Sequence, residues 1–177
     1  MKGGYKMGKK SIKENKNIYF QSREEAGLTR AQASELMDFI SESRIEKIES
    51  EKVTVQPEDV VAMAEAYKKP SLCNYYCSHE CRIGQEYVPE IKLSSLAEIS
   101  MGVLASINSL NTQKDRLVEI AEDGKLTEDE IPDFLAIQER LEKLSLTVDS
   151  LRLWMDHAIA NGQFDKETIR KIKELSD

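Results

Sequence analysis

A chain of 177 residues suits one ordinary domain or two small ones. Hydrophobic residues make up 40%, charged residues 32% and aromatics 6%, a balance that favours helical, coiled-coil-like structure. No run of about 18 apolar residues occurs, which excludes a membrane-spanning helix, and a net charge of −7 excludes attraction of the molecule as a whole to nucleic acid. The charge is uneven: residues 1–30 carry eight basic and three acidic groups, residues 31–90 six and twelve, and residues 91–177 eleven and seventeen. Any nucleic-acid surface must therefore gather its basic groups locally. The N-terminus lacks the apolar segment of a signal peptide, so a cytoplasmic protein is expected.

Residues 1–15 are rich in Lys and Gly with little to bury, and are expected to be a disordered basic arm. Such an arm serves as a solubilising tail or tracks phosphates. A first helix is predicted from about Lys16 to Ala26, stopped by Gly27. Thr29 with Gln32 forms a capping box for a second helix, whose Ala33, Leu36 and Met37 are expected inward. Asp38 marks its end. Ser41 caps a third helix with Ile45 and Ile48 inward, leaving Glu42, Ser43, Arg44, Glu46 and Lys47 outward. Pro57 opens a fourth helix, with Glu58 and Asp59 in its first turn and Val60, Val61, Ala64 and Tyr67 inward.

Residues 71–91 read as a connector carrying Cys73, Cys77 and Cys81. Spacing of four puts the sulfurs near one face of a helix. Buried structural thiols are the plain reading, since cysteine is among the most buried residue types. A zinc site completed by His79 and redox sensing are the alternatives; the spacing is not that of a zinc finger. Three cysteines make no disulfide framework. No cofactor is otherwise expected.

From residue 92 a second helical domain is predicted. Ser95 and Glu98 cap a long helix to about Asp123, with Leu96, Ile99, Val103, Ile107, Leu110, Leu117 and Ala121 on its apolar stripe and a polar gap near Gln113. Asp123–Thr127 reverses the chain at Gly124; a calcium loop there would lack a ligand at its third place. Thr127 or Asp129 caps the next helix, with Pro132 in its first turn. Residues 130–161 carry the strongest periodicity in the chain: Phe134, Ile137, Leu141, Leu144, Val148, Leu151, Met155 and Ala158, in steps of three and four. Gly162 stops this helix, and a short one follows with Ile169, Ile172 and Leu175 inward. An antiparallel hairpin results. Its apolar stripes are wider than one hairpin can cover, so a homodimer through residues 92–161 is expected.

Taken together, several runs resemble the XRE (Cro and phage-repressor-like) helix-turn-helix family over residues 16–70. They are Arg23–Thr29 before the first motif helix, Ile40-Ser41 opening the second, Ile45–Glu49 along it, and Met63–Tyr67 closing the domain. The cysteine-bearing run Leu72–Ile91 is similar to a subgroup of presumed regulators. Asp38 and Glu51 stand where the family has glycine, the turn Met37–Ile40 is one residue longer, and the reading helix is net negative by one. The resemblance implies a lambda-repressor-like all-α domain that binds DNA as a homodimer. Glu42, Ser43, Arg44 and Lys47 would then meet base edges, with Arg44 on a guanine, and Arg30 would hold a phosphate. No nucleophile-with-base set, glycine-rich phosphate loop or metalloprotease motif is present, so no enzyme is expected.

Overall fold

A computed structural model describes residues 16–175, so the basic arm 1–15 lies outside the described residues. Every regular element among them is a helix, and the chain divides into two compact units, Met1–Glu86 and Tyr87–Asp177. No helix among the described residues is long and apolar enough to cross a membrane.

The first unit holds α1 (Ile18–Glu25), α2 (Arg30–Glu35), α3 (Glu42–Glu49), α4 (Pro57–Ala66) and α5 (Ser71–His79), and the short α6 (Gly84–Tyr87) runs across the boundary between the units. Local chemistry sets the helix starts. Asn17 Oδ1 accepts from Phe20 N at 3.0 Å and Ser41 Oγ from Arg44 N at 3.3 Å. At Thr29 the reciprocal box closes, with Gln32 N on Thr29 Oγ1 and Thr29 N on Gln32 Oε1. Packing is around Met37, Ile40, Ile45, Ile48, Val60, Met63 and Leu72, all nearly or wholly buried. Each such aliphatic side chain contributes roughly 1.5–3 kcal/mol on burial.

Three expectations are corrected here. Leu36 is exposed, because the end of α2 tightens: Leu36 N bonds Ala33 O and Met37 N bonds Ser34 O, one residue nearer than an α-helix requires. That turns Leu36 outward and keeps Met37 in. Val61 is also exposed; Val60, Met63, Ala64 and Tyr67 are the positions that share the buried face of α4. The cysteine-bearing α5 is not a bare connector, for its Leu72 is sealed in the core with Cys73 packed beside it.

The second unit holds α7 (Leu96–Asn111), α8 (Lys114–Ala121), α9 (Ile131–Ala160) and α10 (Lys166–Glu174). Its two arms run antiparallel. Gly102 faces Thr147, Arg140 bonds Ser109, and Arg116 bonds Asp133, so positions advance in opposite directions. A Cβ on Gly102 would lie 3.1 Å from Thr147 Cγ2, so α7 and α9 pack closely at this point. The single long first arm is broken into α7 and α8 at Thr112–Gln113. There Ser109 O accepts from Thr112 Oγ1 at 2.8 Å and Arg140 Nη1 at 3.1 Å, and Gln113 N moves to Leu110 O. Side chains have taken the carbonyl that the helix needed. At the reversal, Lys125 N bonds Asp123 Oδ1, and Gly124 takes φ +67°.

Apolar surface is left over in this unit. Leu96 and Ile107, expected inward, are exposed along with Met101 and Leu104. On α9 the predicted stripe separates into two rows at heptad spacing. Ile137 and Ala158 of one row are buried and Leu144 is half-buried, with Leu151 outside. Phe134, Leu141, Val148 and Met155 of the other row are all exposed.

Candidate nucleic-acid interface

Helix α3 is held by its inner face. Ile45 and Ile48 are buried in the core, and Glu49, one step further round that face, is buried too. Its outer face presents Glu42, Ser43, Glu46 and Lys47 to solvent, with Arg44 half-buried at the edge. The turn before it is braced by Ser34 Oγ donating to Ile40 O at 2.8 Å. Phe39 stands in that turn with 63% of its surface exposed.

Two ion-pair networks tie the helix down. Around Glu49, Arg23 Nε donates to Oε1 at 2.5 Å and Nη2 to Oε2 at 3.0 Å, while Arg30 Nε donates to Oε2 at 2.8 Å. Arg23 also donates from Nη1 to Leu28 O at 2.6 Å, so α1, α3 and the loop before α2 converge on one buried carboxylate. Burial is the largest single influence and disfavours the Arg23 charge, but hydrogen bonding to Glu49 and attraction to its charge together outweigh it, and the guanidinium pKa is raised. Burial likewise pushes the Tyr67 hydroxyl up, with the Glu49 charge adding to it; Tyr67 Oη is buried without a hydrogen-bond partner among the described residues.

The second network joins α3 to α4. Arg44 Nε donates to Asp59 Oδ1 at 2.8 Å and Nη2 to Oδ2 at 2.5 Å, a bidentate fork. Asp59 Oδ2 also accepts from Gln56 N at 2.9 Å. Burial raises the Asp59 pKa, yet the Arg44 guanidinium and the Gln56 amide hold it below the ordinary carboxylate value.

The structure therefore brings Glu42, Ser43, Arg44 and Lys47 to one helix and puts Arg30 on the neighbouring one, with its guanidinium engaged by Glu49. Glu49 and Asp59 are the groups that sequence reasoning did not single out. A signal for Glu49 exists: 45, 48 and 49 share a helical face, so a carboxylate there must be buried and paired. Asp59 had only its place in the first turn of α4 to suggest a capping role.

Cys73, Cys77 and Cys81 are half-buried thiols. His79 stacks on Tyr75 with ring centroids 4.4 Å apart. Among the described residues no group of three or more His, Cys, Asp or Glu side chains is placed to hold a metal ion.

Residues 21–70 match the family model described as a helix-turn-helix domain. No curated protein and no solved structure matches the chain. The match runs from within α1 to just past the end of α4, taking in α2 and α3, so the N-terminal unit contains a helix-turn-helix domain, an arrangement that offers its second motif helix to a duplex groove.

Proposed function

We propose that the chain is a sequence-specific DNA-binding transcriptional regulator, acting as a homodimer of the XRE type rather than as an enzyme. The observation that carries this reading is the helix-turn-helix match laid over α3, whose inner face is locked by Ile45, Ile48 and Glu49 and whose outer face is solvated. On this reading Ser43, Arg44 and Lys47 meet base edges, and Glu42 accepts from a cytosine amine. A guanidinium carries five N–H donors, of which Asp59 takes two from Arg44. The fork fixes the guanidinium plane and leaves the other edge for a guanine. Arg30, similarly steadied by Glu49, meets a phosphate. A duplex reader works beside the duplex, consistent with the cytoplasmic placement expected from the sequence.

Support for the homodimer comes from the exposed row Phe134, Leu141, Val148 and Met155. Heptad spacing with one row mostly buried within the chain and the other exposed is the pattern of a helix that meets a second partner. Two copies joined there place two α3 helices on a palindromic site.

A protein-interaction module is the second reading, favoured by one observation. Glu42 and Glu46 share the outer face with Lys47, while Arg30 and Arg44 already face carboxylates. Titrating random-sequence duplex at low salt, then raising the salt, separates the two. The regulator binds with a steep negative salt slope; absence of binding at every salt concentration overturns it in favour of the module.

A further inference from the structure

We propose that Cys77 and Cys81 form an oxidative modification site, in which a peroxide-class oxidant joins the two sulfurs in a reversible disulfide at the end of α5. The chain turns back sharply there. Both Glu80 N and Cys81 N donate to Tyr76 O, each at 2.9 Å. Because Tyr76 O belongs to the peptide unit that leads into Cys77, standard backbone dimensions bring the two cysteine Cα atoms within roughly 7 Å. That is the outer reach of a disulfide.

One glycine lies against both residues. Gly84 N donates to Cys81 Sγ at 3.5 Å. A Cβ on Gly84 would fall 2.1 Å from Cys77 O, so the returning turn is pressed onto the last turn of the helix. Both thiols are half-buried, reachable by a small oxidant yet held in place. Burial raises the Tyr76 hydroxyl pKa, and both Cys81 and Cys77 add to the shift. Cys73, one turn earlier, packs on the apolar core instead.

The chemistry balances. One thiol sulfur attacks the peroxide O–O bond, giving a sulfenic acid and one water. The other thiol attacks that sulfur; the S–S bond forms, the S–O bond breaks, and the second water leaves with the remaining proton. Two thiols are oxidised and one peroxide is reduced. A dithiol reductant reverses the bond.

Glu80 lies inside the ring so closed. Its Oε1 accepts from Tyr19 Oη at 2.9 Å, the link from α5 to α1. Tyr19, Ile48 and Glu80 also line one cleft of about 370 Å³ at the C-terminal end of α3. Oxidation therefore bears on the base of the reading helix; this last consequence rests on the DNA-binding reading.

The test treats the reduced full-length chain with stoichiometric hydrogen peroxide, blocks remaining thiols with an alkylating reagent, and digests with chymotrypsin. Cleavage after Tyr75 or Tyr76 parts Cys73 from the other two. The expected result is an alkylated Cys73 fragment, and a Cys77–Cys81 fragment that has lost two hydrogens and takes no label. Dithiothreitol restores both labels, Cys73→Ser leaves the bridge intact, and Cys81→Ser abolishes it. Labelling of all three cysteines, a bridge that includes Cys73, or a bridge only between two chains overturns the proposal. None of these readouts involves DNA, so the outcome is independent of the proposed regulator function. Loss of duplex affinity by about fivefold on oxidation, restored by reductant, supports the coupling; a bridge with unchanged affinity removes the coupling alone.

Discussion

The two units of this chain treat their apolar residues differently. In the N-terminal unit Ile45, Met63 and Leu72 are sealed to within 1% of full burial, and five helices share one core. In the C-terminal unit the 30 residues of α9 fully bury only Ile137, Leu153 and Ala158. The first unit is a complete core in a single chain; the second has more apolar surface than its own hairpin covers. Charge follows the same division. Arg23, Arg30 and Arg44 are engaged by Glu49 and Asp59, whereas the ion pairs of the second unit sit at exposed sites such as Arg116–Asp133. Buried pairs fix one geometry because either partner alone is costly; exposed pairs cost and contribute little. The comparison separates two ways of placing a helix: α3 is fixed by internal ion pairs, whereas α9 keeps an exposed apolar row.

The largest effect is expected where the second unit is incomplete. Leu141→Asp with Val148→Asp puts two charges into the exposed row of α9. If that row joins two subunits, the pair converts a dimer to monomers in sedimentation at micromolar concentration. Because both residues are exposed in a single chain, the helix content should survive. Wild type that sediments as a monomer would break the dimeric reading outright.

Next comes the buried carboxylate of the first unit. Glu49→Ala strands the Arg23 guanidinium, whose side chain is only 8% exposed, at an expected cost of about 3–5 kcal/mol. For a unit of this size that lowers the melting temperature by roughly 12–40 °C. Trp154 is the sole tryptophan and lies on α9, so its fluorescence follows the second unit alone. Circular dichroism should show the early transition while the Trp154 transition stays in place. Coincident shifts in both probes would show that the two units unfold together.

Arg44→Ala removes the partner of Asp59. Duplex affinity is expected to fall by about 1–3 kcal/mol with one base preference relaxed, measured at a temperature where the variant is folded. Lys47→Ala serves as its contrast: a second base preference is relaxed, with an unchanged melt. Asp59 also predicts a pH dependence. Its folded pKa lies below the unfolded value of about 3.9, so the stability it supplies is complete above that value and is lost as pH falls through the lower, folded one. Asp59→Asn should flatten the decline in the first unit's melting temperature as pH falls below about 4.

The sequence was most legible where structure is local. Thr29, Ser41 and Ser95 cap helices through bonds three residues long, and the period of Ile45, Ile48, Val60 and Tyr67 shows which way each helix faces. It was least legible where a partner is distant. Glu49 meets Arg23 across 26 positions and Asp59 meets Arg44 across 15. Read as a string, Glu49 counts as one more negative charge on the reading helix; folded, it is inside. The break at Thr112 depends on Arg140 arriving from the other arm, and the outward turn of Leu36 on which carbonyls the last turn of α2 selects. The rows of α9 show the reverse case: their period was plain, but only the fold tells which row is mostly buried.

The smallest effect concerns backbone conformation and sharpens the comparison within the first unit. Helices α1, α3 and α4 end in the same way. After α3, Lys52 N bonds Lys47 O and Glu51 N bonds Ile48 O; after α4, Lys69 N bonds Ala64 O and Lys68 N bonds Glu65 O. This closure puts the residue after the cap in the left-handed region. Gly27 fills that place after α1 with φ +71°, but Glu51 and Lys68 fill it after α3 and α4 with φ +57° and +53°. A side chain there costs roughly 1–2 kcal/mol, and glycine gives back about 0.5–1 kcal/mol through its freer unfolded chain. Glu51→Gly should therefore stabilise the first unit by about 0.5–1 kcal/mol. Charge separates the two sites: Glu51 sets a negative group beside the negative end of α3, while Lys68 sets a positive one beside that of α4. Lys68→Gly should then gain less than Glu51→Gly by about 0.3–1 kcal/mol in paired thermal melts, and a larger gain at Lys68 would mean that helix-end charge does not govern these caps.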